Sequence, residues 1–338
     1  MKRILVTGGA GFIGSAFVRY LLRTYPDVHV VNYDKMTYAG NLDNVKECPP
    51  DRHTFVRGDI ADATALGAAM EGCDAVVNFA AETHVDRSIM GATEFLRTNV
   101  DGVYNIMEAA KRLGTARVLL VSTDEVYGSI DTGSFKETDP INPRNPYSAA
   151  KAGGELLGRS YFTTFGVPVI ITRGSNTYGP YQYPEKVLPL FATNAIDGQP
   201  LPLYEGGEHN VRDWLYVDDH CRGIDLALRE GRPGEVYNVA GGNERENIEL
   251  TRRILELTGR DESLIRFVPD RPGHDRRYSI DASKLRALGW CPRMDWDEGM
   301  ALTIRWYQEN EWWWRKIKTG EYLEYYKRQY AALSAITE

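Results

Sequence analysis

The 338-residue chain is 43% hydrophobic and 26% charged, enough apolar content for one large core or two unequal ones. Its formal net charge of −7 argues against a general binder of nucleic acid or membrane surfaces, although a few local arginines can still hold an anionic ligand. Cys48, Cys73, Cys221 and Cys291 are widely spaced without a C-x-x-C pair and read as reduced thiols in a cytosol. The first apolar run stops at Gly8-Gly9, and no stretch approaches ~18 apolar residues, so neither an export signal nor a membrane span is expected.

In chain order, Ile4–Val6, Val28–Asn32, Thr54–Val56, Ala75–Asn78, Val118–Ser122 and Val167–Thr172 read as strands. Ile13–Leu22, Ala61–Met70 and Thr93–Leu113 carry helical spacing between them. This alternation predicts an α/β fold, a Rossmann-type doubly wound parallel sheet with right-handed crossovers. After residue 172 Gly, Pro and Tyr accumulate (Tyr178–Pro184), and helical pattern returns at Glu249–Leu257, Ala282–Leu288 and Trp296–Glu309. The expected organisation is a cofactor domain at 1–172 and a smaller C-terminal α/β substrate lobe at 173–338. Parts of 173–235 are expected to return to the first domain, and a cleft is expected between the two.

Gly8, Gly11 and Gly14 follow the first strand and open the first helix, the spacing that lets backbone approach a pyrophosphate at a helix N-terminus. Asp34 ends the second strand about 20 residues on, where a carboxylate accepts ribose hydroxyls and repels a 2′-phosphate; the cofactor read from this is NAD rather than NADP. Asp59 suits either a place near the adenine or a local cap.

Ser122-Thr123-Asp124-Glu125 ends the fifth strand. Adjacent carboxyls can hold different protonation states when their environments differ, but both reach one site only if the chain turns after Thr123. Asn145-Pro146 is a helix start, so Tyr147 and Lys151 share a helix face. An ammonium beside the phenol would lower a pKa that is ~10 in the free side chain.

With these motifs the chain resembles the extended short-chain dehydrogenase/reductases, and within them the dTDP-glucose 4,6-dehydratases. The resemblance also rests on Asp34–Leu42, Ala80–Ser88, Gly179–Lys186, Arg212-Asp213-Trp214 and Asp270–Tyr278. It implies that Tyr147 takes the sugar 4-hydroxyl proton while NAD accepts the C4 hydride, with Thr123 bonded to that oxygen and Lys151 on the nicotinamide ribose. It further implies that Glu125 removes the C5 proton, that Asp124 protonates the departing 6-hydroxyl, and that the hydride returns to C6. Phe12, Ile13, Lys35, Thr37, Ile60, Ala80, Ala81 and Thr98 join the glycines, Asp34 and Asp59 around the cofactor. For dTDP-glucose, the resemblance assigns His84 and Asn176 to the sugar or diphosphate, Lys186, Val187 and Arg212 to the diphosphate, and Pro202–Tyr204 to the base. Asn247 and the loop carrying Asp270, Arg271, His274 and Tyr278 complete the site.

One departure stands out: many members carry a second Asn where this chain has Thr177, which puts a cofactor contact there in question. In this superfamily helices like Phe95–Leu113 build a dimer bundle, which implies a homodimer. The six tryptophans from Trp290 onward read as packing rather than a sugar platform. No metal-ligand spacing is present. A 4-epimerase, which shares Thr, Tyr and Lys but has no use for both Asp124 and Glu125, is the nearest alternative. A decarboxylase of sugar-nucleotide acids is a weaker one, and a non-catalytic NAD sensor is the alternative from another class.

Overall fold

The computed structural model describes residues 1–330; residues 331–338, inside the expected substrate lobe, lie outside the described residues. In chain order the strands are β1 (Arg3–Thr7), β2 (His29–Asp34), β3 (His53–Arg57), β4 (Ala75–Asn78), β5 (Arg117–Thr123), β6 (Val169–Gly174), β7 (Asn176–Tyr178), β8 (Leu201–Tyr204), β9 (Val211–Tyr216), β10 (Val236–Val239), β11 (Glu244–Glu246) and β12 (Ile265–Val268). Seven of them form the central sheet in the order β10-β6-β5-β4-β1-β2-β3, every pairing parallel. The doubly wound expectation is met.

Alternation along each strand explains why both faces are covered. Ile4, Val6, Val30, Val77, Leu119 and Ile170 pack on one side against helices Phe12–Thr24 and Val217–Glu230. Leu5, Val31, Val76, Val118, Leu120 and Ile171 pack on the other, against Ala63–Met70, Gly102–Leu113 and Pro146–Phe165. The return to this sheet runs past residue 235: helix Val217–Glu230 covers it and β10 is its edge strand beside β6.

The expected helix Thr93–Leu113 is continuous but not uniform. A π-helical turn at Arg97–Asp101 lies between Thr93–Leu96 and Gly102–Leu113. The extra residue in that turn brings Thr98 to the wall of the cavity beside the sheet and lets Asn99 hold both backbone groups of Glu82, each at 3.0 Å.

A second apolar cluster joins Tyr178, Leu188, Phe191, Trp214 and Ile254 to Trp296, Trp313 and Trp314. Trp313 and Trp314 are 1% exposed, and their indole N–H groups donate to Asn44 Oδ1 (2.9 Å) and the Tyr307 carbonyl (2.8 Å). These two tryptophans are packing, as expected. No helix among the described residues is long and apolar enough to cross a membrane.

Candidate active site

The glycine loop is shaped by what a side chain would hit. Gly8 has φ +67°, and a Cβ there would come within 2.6 Å of the Ala80 nitrogen; at Gly14 it would meet the Gly8 carbonyl oxygen at 2.2 Å. Asp34 is buried at the end of β2, accepting from Ala10 N–H at 2.9 Å and Met36 N–H at 2.7 Å. The second bond needs Met36 at φ +60°, a left-handed residue that turns the chain back. Burial pushes the Asp34 carboxyl up from its ordinary value, opposed by those two N–H donors. Asp59 makes the local bond considered for it, accepting from Ala61 N–H (2.9 Å), pairs with Lys35 (2.9 Å), and lines the groove.

These residues line one cavity of about 340 Å³, large enough for a small-molecule site. Gly8, Gly11, Phe12, Ile13, Gly14, Asp34, Lys35 and Thr37 line it, as do Ile60, Ala80, Ala81 and Thr98, and with them Thr123, Asp124, Glu125, Tyr147 and Lys151. Every residue assigned to the cofactor or to catalysis lies on this wall.

The catalytic end follows from two local breaks in regular structure. β5 stops at Thr123, whose Oγ1 accepts from Glu125 N–H at 3.2 Å and caps a 3₁₀ turn over Asp124–Tyr127. That turn replaces the two-residue alternation of a strand, so both carboxyls reach the cavity. Across it, Asn145 caps helix Pro146–Phe165 in a capping box with Ser148 (2.9 Å and 3.3 Å). Tyr147 and Lys151 then project one turn apart.

Asp124 is 3% exposed and one of its carboxyl oxygens, Oδ2, has no hydrogen-bond partner. Burial, then the charges of Glu125 and Asp213, hold its pKa well above the usual carboxylate range, against Arg212 and the Thr123 hydroxyl. A neutral acid is the form that can donate a proton. Half-buried Glu125 faces Asn145 Nδ2 at 3.5 Å.

Lys151 gives its ammonium to the Val121 carbonyl at 2.7 Å, and burial lowers its pKa to about 8. The expected lowering of Tyr147 is not present in the protein alone. Burial, Glu125 and Asp124 push that phenol up, and only the Thr123 hydroxyl pulls it down.

A second cavity of about 160 Å³ opens from the first at Glu125, Asn176, Lys186, Val187 and Trp214. His84, Pro202, Tyr204, Arg212, Asn247, Arg271, His274 and Tyr278 line it, which brings these assigned substrate residues together from five separate segments. Asp270 is not on the wall; its carboxylate holds His274 Nδ1 at 2.7 Å. Arg212 stacks over the Tyr278 ring at 4.3 Å and donates to the Asp275 carbonyl at 2.8 Å. Arg271 reaches Asp86 at 3.5 Å through Nε while its buried Nη1 has no partner, and the buried Asn176 Oδ1 has none either. Lys186 donates to the Thr83 carbonyl at 2.9 Å. His84 is neutral: burial first, then Lys186, lowers it to about 3.

Sequence reasoning missed several cavity residues, Glu185 and His220 among them. Glu185, buried and touching both cavities, accepts from Tyr38 (2.9 Å) and Arg87 (3.1 Å). His220 sits where a Cβ on Gly174 would approach within 2.6 Å of its ring. Its Nδ1 meets Thr177 Oγ1 at 2.8 Å, so Thr177, the departure from the family pattern, is engaged with protein on the groove wall. His220 carried no signal because Val217-Asp218-Asp219-His220 reads as the polar start of a helix. Among the described residues no group of His, Cys, Asp and Glu could hold a metal.

The family model described as GDP-mannose 4,6 dehydratase matches residues 5–303. The chain belongs to this family. A dTDP-glucose 4,6-dehydratase from Streptomyces niveus is 51% identical over 325 residues, 94% of this chain and 96% of the relative. The dTDP-glucose 4,6-dehydratase DesIV of Streptomyces venezuelae, solved with NAD bound, superposes with a TM-score of 0.91 at 53% identity, covering 94% of this chain and 100% of that one. The UDP-glucose 4-epimerase of Thermus thermophilus, also solved with NAD, reaches 0.85 at 31% identity over 91% of this chain and 99% of its own. The shared architecture spans both activities, and the higher identity lies with the dehydratases.

Proposed function

We propose that this dehydratase-family chain converts dTDP-glucose to dTDP-4-keto-6-deoxyglucose as an NAD-dependent lyase. The observation that carries the reading is the pairing of a buried Asp124, its carboxyl pKa held up by burial and by Glu125, with Glu125 beside Tyr147, at the junction of a dinucleotide groove and a second cavity. A 4-epimerase needs a base for one hydroxyl and has no task for two further carboxyls.

The groove fits a dinucleotide: its glycines leave no room for a Cβ against the loop backbone, and Asp34 stands at the end that would take the adenosine ribose. When bound, the nicotinamide ring supplies the hydride acceptor for C4, the hydride donor for C6, and a positive charge near the phenol. Tyr147 takes the 4-hydroxyl proton, and the Lys151 ammonium together with the Thr123 hydroxyl stabilises the phenolate that burial, Glu125 and Asp124 disfavour. Glu125 takes the C5 proton, which the adjacent 4-ketone makes acidic. Asp124 gives its proton to the 6-oxygen, so that water rather than hydroxide departs. The Arg271 Nη1 and Asn176 Oδ1 groups that lack protein partners are assigned to the diphosphate and the sugar.

The same reading divides the chain into a cofactor lobe, which includes β10 and helix Val217–Glu230, and a nucleotide-sugar lobe. It makes the protein a cytoplasmic homodimer. Support for the dimer comes from Leu96, Tyr104 and Leu156, which are half exposed on neighbouring helices. Light scattering should return twice the 38.1 kDa chain mass; a monomer removes that part.

Incubation with dTDP-glucose tests the activity. The product should be lighter by one water and absorb as a 4-ketosugar in base. Recovery of dTDP-galactose, or of unchanged substrate, contradicts it.

A further inference from the structure

The family match ends at residue 303, yet the chain continues into helices Glu311–Arg315 and Glu321–Gln329. The last helix packs against the substrate cavity with a stripe of tyrosines at helical spacing, Tyr322, Tyr325 and Tyr326, continued by Tyr330. Glu324, Lys327 and Arg328 fall on its outer side.

Each tyrosine of the stripe is spoken for. Tyr322 donates to the Pro184 carbonyl at 3.0 Å, just before Glu185 and Lys186. Tyr325 faces the Arg87 guanidinium at 4.1 Å and meets the His84 ring edge-on at 5.6 Å; Tyr38 covers Arg87 from its own side at 4.0 Å. Tyr326 reaches Asn194 at 3.3 Å. Tyr330 is 8% exposed and forms part of the cavity wall. Gln329 donates to the Tyr204 hydroxyl at 3.1 Å, and that hydroxyl donates to Asp86 at 3.2 Å.

Glu125 is shared with the first cavity, which is where the hexose must lie if the carboxyls are to act, and the cations Arg212 and Arg271 line the second cavity with Tyr278 and His274. The nucleoside of a nucleoside diphosphate sugar then extends away from Glu125, toward a wall shared by Tyr204 and Tyr330. Aromatic rings with hydroxyl tips suit a base that is flat on its faces and polar at its edges.

We infer that Glu321–Tyr330 is a substrate-positioning segment: Gln329 orients Tyr204, and the Tyr330 ring closes the nucleoside end of the cavity. Recognition of the nucleoside diphosphate therefore depends on residues beyond the matched family span. The identity of that nucleotide rests on the function proposed above.

The test uses the full chain with Tyr330→Ala, Gln329→Ala and Tyr330→Phe, titrated with dTDP by calorimetry and assayed with dTDP-glucose. Tyr330→Ala and Gln329→Ala should each raise the dTDP Kd and the KM by roughly five- to thirtyfold, the span of one aromatic or hydrogen-bond contact. The kcat at saturation should move by less than about twofold, as expected when binding common to ground and transition states is removed. Tyr330→Phe, which keeps the ring, should stay near the parent, and NAD content should not change in any variant. A dTDP Kd in both alanine variants equal to the parent's overturns the inference. So does a weakening matched by an equal loss of NAD, because that reports general loosening rather than positioning. A parent that turns over dTDP-glucose while the variants bind dTDP normally refutes the segment's role alone; a parent that binds no dTDP refutes the functional reading as well.

Discussion

The dinucleotide groove is shaped mainly by backbone, and the neighbouring substrate cavity by side chains. Around the groove, Gly8 and Gly14 bring chain against chain, and Asp34 is held by two N–H groups of nearby residues. Around the cavity, His84, Tyr204, Arg212, Arg271 and Tyr330 arrive from five separate stretches and are held by ion pairs, ring contacts and carbonyls distant in sequence. A backbone site built where neighbouring strands end beside one glycine turn leaves a short spacing in the sequence at that turn. A side-chain site follows from the packing of a whole lobe and leaves no such mark.

The contrast is broken most severely where the two sites meet. Tyr147→Phe removes the hydroxyl proposed to take the 4-hydroxyl proton, so kcat should fall by roughly 10²–10⁴ while dTDP and NAD still bind. Rapid-quench turnover and calorimetry together check this; a fall in affinity matching the fall in rate would show that the hydroxyl serves binding instead.

Damage to the groove should be structural in kind. Gly14→Ala forces a Cβ to within 2.2 Å of the Gly8 carbonyl oxygen. The loop must shift at a cost of about 1–3 kcal/mol, read as lost NAD affinity and a lower urea midpoint. Unchanged NAD binding would mean that the loop does not press on the cofactor.

Damage to the cavity should be electrostatic. Arg271→Ala removes a guanidinium whose Nη1 has no protein partner. The KM for dTDP-glucose should rise by roughly ten- to a hundredfold, the worth of a hydrogen bond to a charged group, while NAD affinity holds. A normal KM would place the diphosphate elsewhere.

The smallest effect is a pH dependence within the physiological range. Lys151, lowered by burial to about 8, is charged below that pH and neutral above it, so its help to the phenolate fades as pH rises through 8. Asp124, held up by burial and Glu125, must be protonated to act, and it too is lost on the alkaline side. The Lys151 contribution should therefore appear as a fall in the ratio of parent to Lys151→Ala rates above about pH 8, whatever the Tyr147 phenol gains by deprotonating over the same range. A ratio that stays constant to pH 10 would contradict the Lys151 assignment.

Much of the first lobe was legible in the sequence. Runs such as Val118–Ser122 are apolar because both sheet faces are covered, and Asn145-Pro146 starts a helix by capping chemistry that needs no tertiary context. The edge strand β10 was not legible: Val236-Tyr237-Asn238-Val239 is short, stands among glycines, and becomes a strand only by pairing with β6. The π-helical turn at Arg97–Asp101 was hidden because one extra residue barely disturbs a helical period, although it brings Thr98 to the cofactor groove. Residue identities in the substrate cavity came from resemblance rather than spacing. That route passed over Glu185 and His220, whose burial only the folded chain reveals. Tyr325 and Tyr330 drew no assignment from the sequence; their places show only against His84 and beside Tyr204.

The central claim is that one hydrogen leaves C4 of the sugar and comes back at C6 after Glu125 and Asp124 have removed water. The direct measurement is proton and deuterium NMR of the product formed from dTDP-glucose carrying deuterium at C4. The account predicts that the label appears in the new C6 methyl group within the same molecule. Label retained at C4, or washed out to solvent, would contradict it.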